Sequence, residues 1–288
     1  MKNFKCQLNV ISRSSGASAV QRSAYRGGQK LLDLEKNKVF DYSYRKDVAY
    51  SAFFPPKGSP GWATFPEPTW NAAQKIDKRK NSRLARELMV SLPATFSHEA
   101  QVSVVDQIAN FLVSQYAVVV QSDIHSPKIF SEKQLEELTD QHAVPIPSRP
   151  GFYQNENWHA HVMFSTREMT PSGFGKKTRV LDDRKTGRKE VERIRETVAE
   201  IINAKARELG IALNMHAKSA RRRGSKNLPT KPLGQKGHWA AKHGFEVPWH
   251  KLNKEIKTFN AELEAIEAEI ANQPPPKSKR KPNTGMSM

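Results

Sequence analysis

The sequence has 288 residues and a formal net charge of +18, with 47 Lys or Arg against 29 Asp or Glu. So basic a chain points to an anionic polymer as partner, nucleic acid before membrane. One cysteine excludes an intramolecular disulfide. No apolar run approaches the roughly 18 residues that a membrane span needs, and the N-terminus lacks the apolar core of a signal peptide. We therefore expect a soluble intracellular protein without membrane insertion.

The first predicted elements are a strand and a short helix. Residues 4–11 alternate between apolar and polar, which is typical of a strand with one buried face. Small residues over 17–26 then favour a close-packed helix that the glycine pair after it ends. The last turn of this helix contains Tyr25, close in sequence to Arg22 and Arg26.

The middle of the chain alternates between loops and regular elements. Residues 29–80 are polar and contain Pro and Gly clusters, so we expect a loop-rich segment with a short helix. Its aromatics and cations suit a surface for single-stranded nucleic acid, although core filling explains the aromatics equally well. Period-2 patterns then predict strands over 86–93, 116–125 and 156–164, and an apolar stripe predicts a helix over 97–116.

Alternation places four chemically active side chains on one face of these strands. Successive strand residues point to opposite faces, so His159 and His161 share a face opposite their apolar neighbours. On a helix the same two side chains would diverge by about 200°. By the same parity, His125 and Glu87 lie on the polar faces of their own strands. We predict an α/β (α+β) protein with an antiparallel sheet, helices on one face and an open functional face, followed by a helical C-terminal part.

The second half of the chain starts with loops and ends in helices. Residues 126–156 form a long polar insertion with a predicted helical turn at 132–138, and 173–179 are predicted to be a basic loop. Apolar residues at spacings of 3 and 4 predict a helix over 188–209. A heptad pattern then predicts a further helix, which either packs on the domain or forms a short coiled coil. The predicted division is a core (1–185), a basic helical extension (186–248), a heptad-patterned helix (249–271) and a flexible basic tail (272–288).

His125, His159 and His161 form a candidate site for a divalent metal ion. A three-histidine site leaves open positions for substrate oxygens and can polarise a phosphoryl group without proton transfer. The alternative is that these histidines only fill the sheet face. Neither a P-loop nor a dinucleotide fingerprint occurs, so no other cofactor-binding residues are predicted.

Three motifs carry a resemblance to a known family. They are Ser23-Ala24-Tyr25-Arg26, the strand from Glu87 to Pro93, and Asn157-x-His159-Ala160-His161-Val162-Met163 followed by Ser165-Thr166-Arg167. Together they resemble the MobA/MobL family of plasmid mobilisation relaxases. These belong to the HUH endonucleases, named for two histidines that flank an apolar residue. The later pattern from His216 to Gly234 also resembles this family, so the likeness covers roughly residues 1 to 245.

The resemblance implies a nicking reaction at a plasmid origin of transfer. Tyr25 would attack one phosphodiester, giving a 5′-phosphotyrosyl link and a free 3′-hydroxyl. A phenol is a weak nucleophile at neutral pH and needs activation. The resemblance implies a divalent ion (Mg²⁺ or Mn²⁺) on the three histidines. It also implies a role for Glu87, which orients or deprotonates Tyr25 or supports a metal ligand.

The implied partners are single-stranded plasmid origin DNA, relaxosome accessory proteins and a coupling protein, all in the bacterial cytoplasm. The candidate DNA-binding residues are Arg22, Arg26, Arg167, Arg221, Arg222 and Arg223, because guanidinium groups bind phosphate strongly.

Alternatives remain for both the third ligand and the function. Since 33 residues separate His125 from His159, more than this family usually has there, His142 competes as third ligand if the insertion contains its own strand. A rolling-circle replication initiator would use the same chemistry, but such proteins tend to place the tyrosine after the histidines, whereas Tyr25 precedes them. The alternative outside enzymes is a non-catalytic basic protein that binds DNA or RNA.

Overall fold

The chain is described by a computed structural model. The structure describes residues 4–136, 143–218, 221–224, 226–231, 233, 237, 240 and 243–272. The chain forms two compact units, Met1–Ala217 and Lys218–Met288. The helix predicted at 188–209 lies in the first unit, and the predicted tail after residue 272 lies outside the described residues. The fourfold division of the chain stays a prediction.

The first unit contains both strands and helices. The strands are β1 (Cys6–Ser12), β2 (Lys30–Asp33), β3 (Lys38–Asp41), β4 (Val48–Phe54), β5 (Arg83–Ser91), β6 (Val120–His125), β7 (Ile129–Ser131), β8 (Val144–Pro145), β9 (Phe152–Gln154), β10 (His159–Ser165), β11 (Arg167–Thr170) and β12 (Gly173–Lys177). The helices are α1 (Ala19–Gly27), α2 (Pro66–Ile76), α3 (His98–Tyr116), α4 (Glu132–Glu136) and α5 (Gly187–Glu208), and α6 (Pro248–Asn272) follows in the second unit.

A five-stranded antiparallel sheet forms the centre of the first unit, in the order β1, β5, β10, β6, β4. In β10, His159 lies opposite His125 of β6, and Met163 lies opposite Glu87 of β5. Residues directly opposite each other in an antiparallel pair point to the same face. The predicted α/β fold with an antiparallel sheet is therefore confirmed, and so is the shared polar face.

One face of the sheet packs against α3 and α5. Val162 and Phe164 of β10 belong to one core cluster with Ile108 of α3 and with Val198 and Ile202 of α5, and all five are fully buried. Burying a side chain of this size contributes about 1.5–3 kcal/mol relative to leaving it exposed. These apolar contacts hold α3 and α5 against the sheet, as the predicted layer of helices requires.

The opposite face is partly covered by α1 and α2, a layer that the sequence did not predict. Met163 of β10 is fully buried in a second cluster with Val20 and Ala24 of α1 and Trp70 of α2. His159, four residues before Met163 on the same face, stays partly exposed. The two helices thus cover much of this face, burying His125 and His161 as well, and leave His159 partly exposed.

Helix α1 begins and ends where the sequence provides caps. The Ser18 hydroxyl accepts a hydrogen bond from the Gln21 N–H (3.0 Å) and donates one to the buried Asp33 carboxylate (2.5 Å). At the other end Gly28 adopts a left-handed conformation (φ 60°), which strains a residue with a Cβ. These caps hold the last turn, and Tyr25 with it, in a defined place.

Two loop predictions were wrong because short strands lie within the segments. Residues 29–80 contain the expected short helix, α2, but also the hairpin β2–β3 and the edge strand β4. A bulge interrupts the pairing of β4 with β6, and so its sequence does not alternate strictly. The predicted basic loop at 173–179 is largely strand β12, which pairs with β11.

Two further segments differ in detail from the prediction. The strand predicted over 116–125 begins only at Val120, because α3 runs to Tyr116 and Ala117 ends it in a left-handed conformation (φ 50°). In the polar insertion, α4 lies at the predicted helical turn, and β7, β9 and β8 form a separate three-stranded sheet.

The second unit contains the predicted heptad-patterned helix, α6. Its Asn260 side chain bonds both the N–H and the carbonyl of Leu228 (2.8 Å each), and Asn253, one heptad earlier, does the same to Lys231 (2.8 and 2.7 Å). An extended segment therefore runs along this helix. Among the described residues, no helix combines the length and apolar character that a membrane crossing needs.

Candidate active site

Three histidine rings meet where β6 and β10 pair. His125 lies directly opposite His159, and His161 follows on the same face two residues later. The ring centroids are 4.8, 5.1 and 5.4 Å apart. One ring nitrogen from each histidine lies within 4.8 Å of the other two. A metal–nitrogen bond is about 2.1 Å long, so small side-chain rotations bring all three nitrogens to one ion.

One nitrogen of each ring is bonded to an oxygen. The bonds run from His125 Nε2 to the Arg26 carbonyl (2.7 Å), from His159 Nδ1 to the Asn157 carbonyl (2.8 Å) and from His161 Nδ1 to the Glu87 carboxylate (2.9 Å). A carbonyl or an ionised carboxylate only accepts, so these nitrogens carry the protons and the others keep a free lone pair. Metal-binding histidines are oriented in this way, and the three residues fit a divalent ion.

All three imidazoles are neutral at pH 7. Burial lowers the pKa of each, and for His125 it reaches about 4, with the neighbouring His161 contributing in the same direction. Metal ligation requires the neutral form, so the site does not need to lose protons from the metal-facing nitrogens near neutral pH.

Glu87 is a buried carboxylate between a histidine and an arginine. Among the described residues, its side chain bonds His161 and forms a two-point ion pair with Arg26, whose Nη2 lies 3.0 Å from Oε2. Burial raises the pKa of this carboxyl, but the bonds from His161 and Arg26 outweigh it and lower the pKa to about 2. Glu87 is therefore anionic at neutral pH and a weak base.

Tyr25 lies in the last turn of α1, next to the residue that bonds His125. The next residue, Arg26, provides the carbonyl that His125 bonds. The Tyr25 side chain is 38% exposed and contacts Tyr42 edge to face, with ring centroids 5.2 Å apart. The Arg45 guanidinium lies over the ring, 4.0 Å from its centroid, and donates to the Tyr25 carbonyl (2.5 Å). Arg45 was not singled out from the sequence, since its segment was predicted to be a loop.

The predicted DNA-binding arginines occupy different environments. Arg26 is held in the buried ion pair, and Arg167 bonds both carboxylate oxygens of Asp77 (3.0 and 3.1 Å). Arg22 is exposed, and among the described residues its guanidinium has no acidic partner. The remaining three, Arg221–Arg223, form a short 3-10 turn in the second unit. Near Tyr25, Arg22 is therefore the predicted arginine whose charge is available to an anion.

A buried polar network behind the histidines was missed. The Gln121 amide accepts from the Ser23 hydroxyl of α1 (2.6 Å) and the Trp70 indole of α2 (3.0 Å), and it donates to Asp123 (3.1 Å). Asp123 also accepts from Ser51 (2.6 Å). Burial raises the pKa of Asp123 to about 7 despite these bonds. In the sequence, strand parity places Gln121 and Asp123 on the same face as the histidines, and this pattern could have predicted the network.

The competing third ligand, His142, lies outside the described residues. The structure brings His125 to His159 because β6 and β10 are neighbours in the sheet. The described part of the insertion between them contains strands, but these form a sheet of their own. The length of the insertion therefore does not separate the two histidines.

Comparisons with known proteins identify one family and two mobilisation proteins as similar to this chain. A family model described as the MobA/MobL family matches residues 17–242. Mobilization protein MobL of Acidithiobacillus ferridurans is 33% identical over 239 residues, which cover 81% of this chain and 62% of that protein. Probable mobilization protein MobA of Bifidobacterium longum (strain NCC 2705) is 22% identical over 175 residues, 61% of this chain and 26% of that protein. The chain thus spans less than two thirds of the length of these relatives.

A solved structure has a similar fold. It is described as the molecular basis of vancomycin resistance transfer in Staphylococcus aureus, and it aligns with a TM-score of 0.57 at 21% identity. The alignment covers 76% of this chain and all of the other chain. At this identity the likeness concerns the fold.

Proposed function

The chain belongs to the MobA/MobL family, and from that premise we propose that it nicks and rejoins one DNA strand at a plasmid origin of transfer. The observation that carries the proposal is the meeting of three neutral, oriented histidines with α1, whose last turn contains Tyr25 and whose Arg26 carbonyl bonds His125. Such a site suits transesterification of a phosphodiester, because it offers metal ligands and an accessible hydroxyl nucleophile together.

Tyr25 is the proposed nucleophile. Its phenol oxygen bonds the phosphorus while the bond from phosphorus to the 3′ oxygen breaks. The phenol loses a proton, and the released 3′ oxygen takes one up. The product is a 5′-phosphotyrosyl ester, which conserves the phosphodiester energy so that the strand can be rejoined. The partial exposure of Tyr25 and its contacts with Tyr42 and Arg45 support this role, since they orient the ring and leave it open to a substrate.

The proposed metal ligands are His125, His159 and His161. An ion bound there supplies Lewis-acid polarisation of the scissile phosphate and offsets its developing charge. Three imidazoles favour a transition ion over a hard ion that prefers oxygen ligands, so of the two predicted ions we propose Mn²⁺ rather than Mg²⁺.

Glu87 is proposed to act as a positioning residue. Its carboxylate accepts a hydrogen bond from His161 Nδ1–H, which leaves the other nitrogen of that ring free to bind an ion. The same carboxylate binds the Arg26 side chain, and the Arg26 carbonyl binds His125. Glu87 thereby orients His161 of β10 directly, and it orients His125 of β6 through Arg26 at the end of α1. Its low pKa favours this role over deprotonation of Tyr25.

The proposed substrate is single-stranded plasmid origin DNA, in keeping with the net charge of +18. Arg22 is proposed to meet a phosphate near Tyr25, and Arg221–Arg223 to meet others. On the family likeness alone, we also propose relaxosome accessory proteins and a coupling protein as partners, in the bacterial cytoplasm.

The test is a search for a covalent adduct. The protein is incubated with Mn²⁺ and a pool of single strands of random internal sequence, and SDS-resistant adducts are isolated and sequenced. We expect adducts on one sequence, joined through a 5′ phosphate to Tyr25. They should be absent without divalent ion and absent in Tyr25→Phe, and present in Tyr44→Phe as the matched control.

Two results would contradict the proposal. Adducts that survive Tyr25→Phe mean that another tyrosine is the nucleophile. Tight, salt-sensitive DNA binding without any adduct supports the non-catalytic binding protein instead.

A further inference from the structure

A cavity of about 260 Å³ lies beside Tyr25, along α1. Its lining comes from the turn before α1, around Ser15, from Gln21, Arg22 and Tyr25 of α1 itself, and from Tyr42. Residues 21, 22 and 25 share one face of the helix, because side chains three and four apart are neighbours. The cavity therefore adjoins the proposed nucleophile directly.

The lining has the chemistry of a nucleobase site. It offers two phenol rings, an amide, a hydroxyl and one guanidinium, and it contains no carboxylate. Among the described residues, the Gln21 side-chain amide makes one hydrogen bond, a long one of 3.3 Å to the Tyr42 hydroxyl. Its donor and acceptor thus stay available to the edge of a base, while the aromatic rings offer a surface against which an unstacked base can pack.

Arg22 gives this site a positive charge. Arg22 has no acidic partner among the described residues, whereas Arg26, on the other side of Tyr25, is neutralised by Glu87. Among the residues that line the cavity, Arg22 is therefore the cation that can meet a phosphate, and the Lys36 ammonium lies nearby, 3.1 Å from the Gly16 carbonyl.

We propose that this cavity binds one nucleobase of the DNA strand, that of the nucleotide adjoining the scissile phosphate, with Arg22 on its phosphate. The inference rests on the proposed function, since it takes Tyr25 as the nucleophile. Binding the base here holds the neighbouring phosphate next to the phenol oxygen. The site thus couples recognition of one base to the position of the nick, and it is a determinant of where the strand is cut.

The experiment measures affinity in the full-length Tyr25→Phe protein, so that no reaction disturbs the equilibrium. Fluorescence anisotropy is recorded with a short single strand of random sequence and with an abasic strand of equal length. Gln21→Ala removes the amide, and Ser15→Trp fills the cavity from its rim. Each should weaken binding of the natural strand about tenfold, the effect of losing one base contact. Affinity for the abasic strand should change less than twofold.

The matched controls are Gln107→Ala and Ser114→Trp, which change exposed residues of α3 away from the cavity. Both should bind the two strands as the parent does. Equal weakening of both strands by Gln21→Ala and Ser15→Trp would overturn the inference, because the cavity would then read phosphate only. Unchanged binding of both strands would overturn it as well.

The adduct assay with Tyr25 intact separates the two proposals. Adducts without base-dependent binding at the cavity refute the inference and leave the nicking activity standing. Base-dependent binding without adducts supports a base-binding cavity and refutes nicking.

Discussion

Burial and hydrogen bonding compete at Glu87. A carboxylate at this depth loses hydration, which raises its pKa, yet the bonds from Arg26 and His161 bring the pKa to about 2. The charge is therefore permanent under physiological conditions. It also stabilises the partly buried Arg26 guanidinium, so the two charges depend on each other.

Glu87→Gln keeps the size of the side chain and removes its charge. We expect affinity for Mn²⁺ to fall about 10- to 100-fold, the usual cost of losing a residue that orients a metal ligand. Isothermal titration calorimetry measures this. The matched control, Glu196→Gln on the exposed side of α5, should bind Mn²⁺ normally. Normal affinity in Glu87→Gln would count against the positioning role.

The identity of the third ligand is decided by histidine substitutions. His125→Ala should abolish tight Mn²⁺ binding and adduct formation together, because two imidazoles remain where three are needed. His98→Ala, at an exposed position of α3, is the control and should change neither. Loss of metal-dependent adducts in His142→Ala but not in His125→Ala would make His142 the ligand.

At the scale of elements, α1 depends on its N-cap. Ser18 bonds the helix N-terminus and the Asp33 carboxylate at once. Ser18→Ala should lower the free energy of unfolding by about 1–2 kcal/mol, as measured by urea denaturation. Ser114→Ala in α3 is the control and should cost much less, since that side chain is exposed and caps no helix end. If Ser18→Ala lowered the free energy of unfolding by no more than Ser114→Ala does, the capping role would be contradicted.

The end of α2 is joined to the β11–β12 hairpin through Asp77. Its carboxylate bonds Arg167 (3.0 Å) and Lys177 (2.7 Å). Burial opposes the charge, but these cations prevail and hold the pKa of Asp77 below its ordinary 3.8. Because the folded pKa is the lower one, the stabilisation is present above pH 3.8 and is lost as the pH falls below that value.

Asp77→Asn should therefore lower the free energy of unfolding by about 3 kcal/mol at pH 7, since a partly buried pair of cations loses its counter-ion. The difference from the parent protein should shrink as the pH falls below about 4. Denaturation curves at a series of pH values test both points. A difference that is constant with pH would show that the charge of Asp77 is not its cause.

Strand parity explains which elements could be predicted. β5, β6 and β10 turn apolar side chains to α3 and α5 on one face and mostly polar side chains to the other, so their sequences alternate. This alternation put Glu87, His125 and His159 on one side. β4 is an edge strand with a bulge, and β12 is a glycine-containing hairpin strand, and neither alternates strictly. The second helix layer was missed because α1 and α2 are short, and their position on the sheet depends on tertiary contacts such as the bond from Ser23 to Gln121.

For the molecule as a whole, charge is distributed unevenly between the two units. Residues 218–288 contain 15 Lys or Arg and six Asp or Glu, a net charge of +9 and half of the total of +18. The first unit carries the same net charge on three times the length, and two of its predicted DNA-binding arginines, Arg26 and Arg167, are engaged in ion pairs. We therefore expect the second unit to supply much of the electrostatic attraction for DNA, and the first unit to supply the chemistry.

Salt dependence tests this division of roles. Binding of single-stranded DNA releases counterions, so the logarithm of the affinity falls linearly with the logarithm of salt concentration, by about 0.7 per phosphate neutralised. Changing all of Arg221–Arg223 to Ala should reduce this slope by about 2 and weaken binding, with the three histidines untouched. Changing Arg184, Lys185 and Lys189, exposed residues near the start of α5, removes the same charge as a control and should leave the slope unchanged. Equal slopes in both variants would mean that the net charge acts at long range and that Arg221–Arg223 do not meet the DNA.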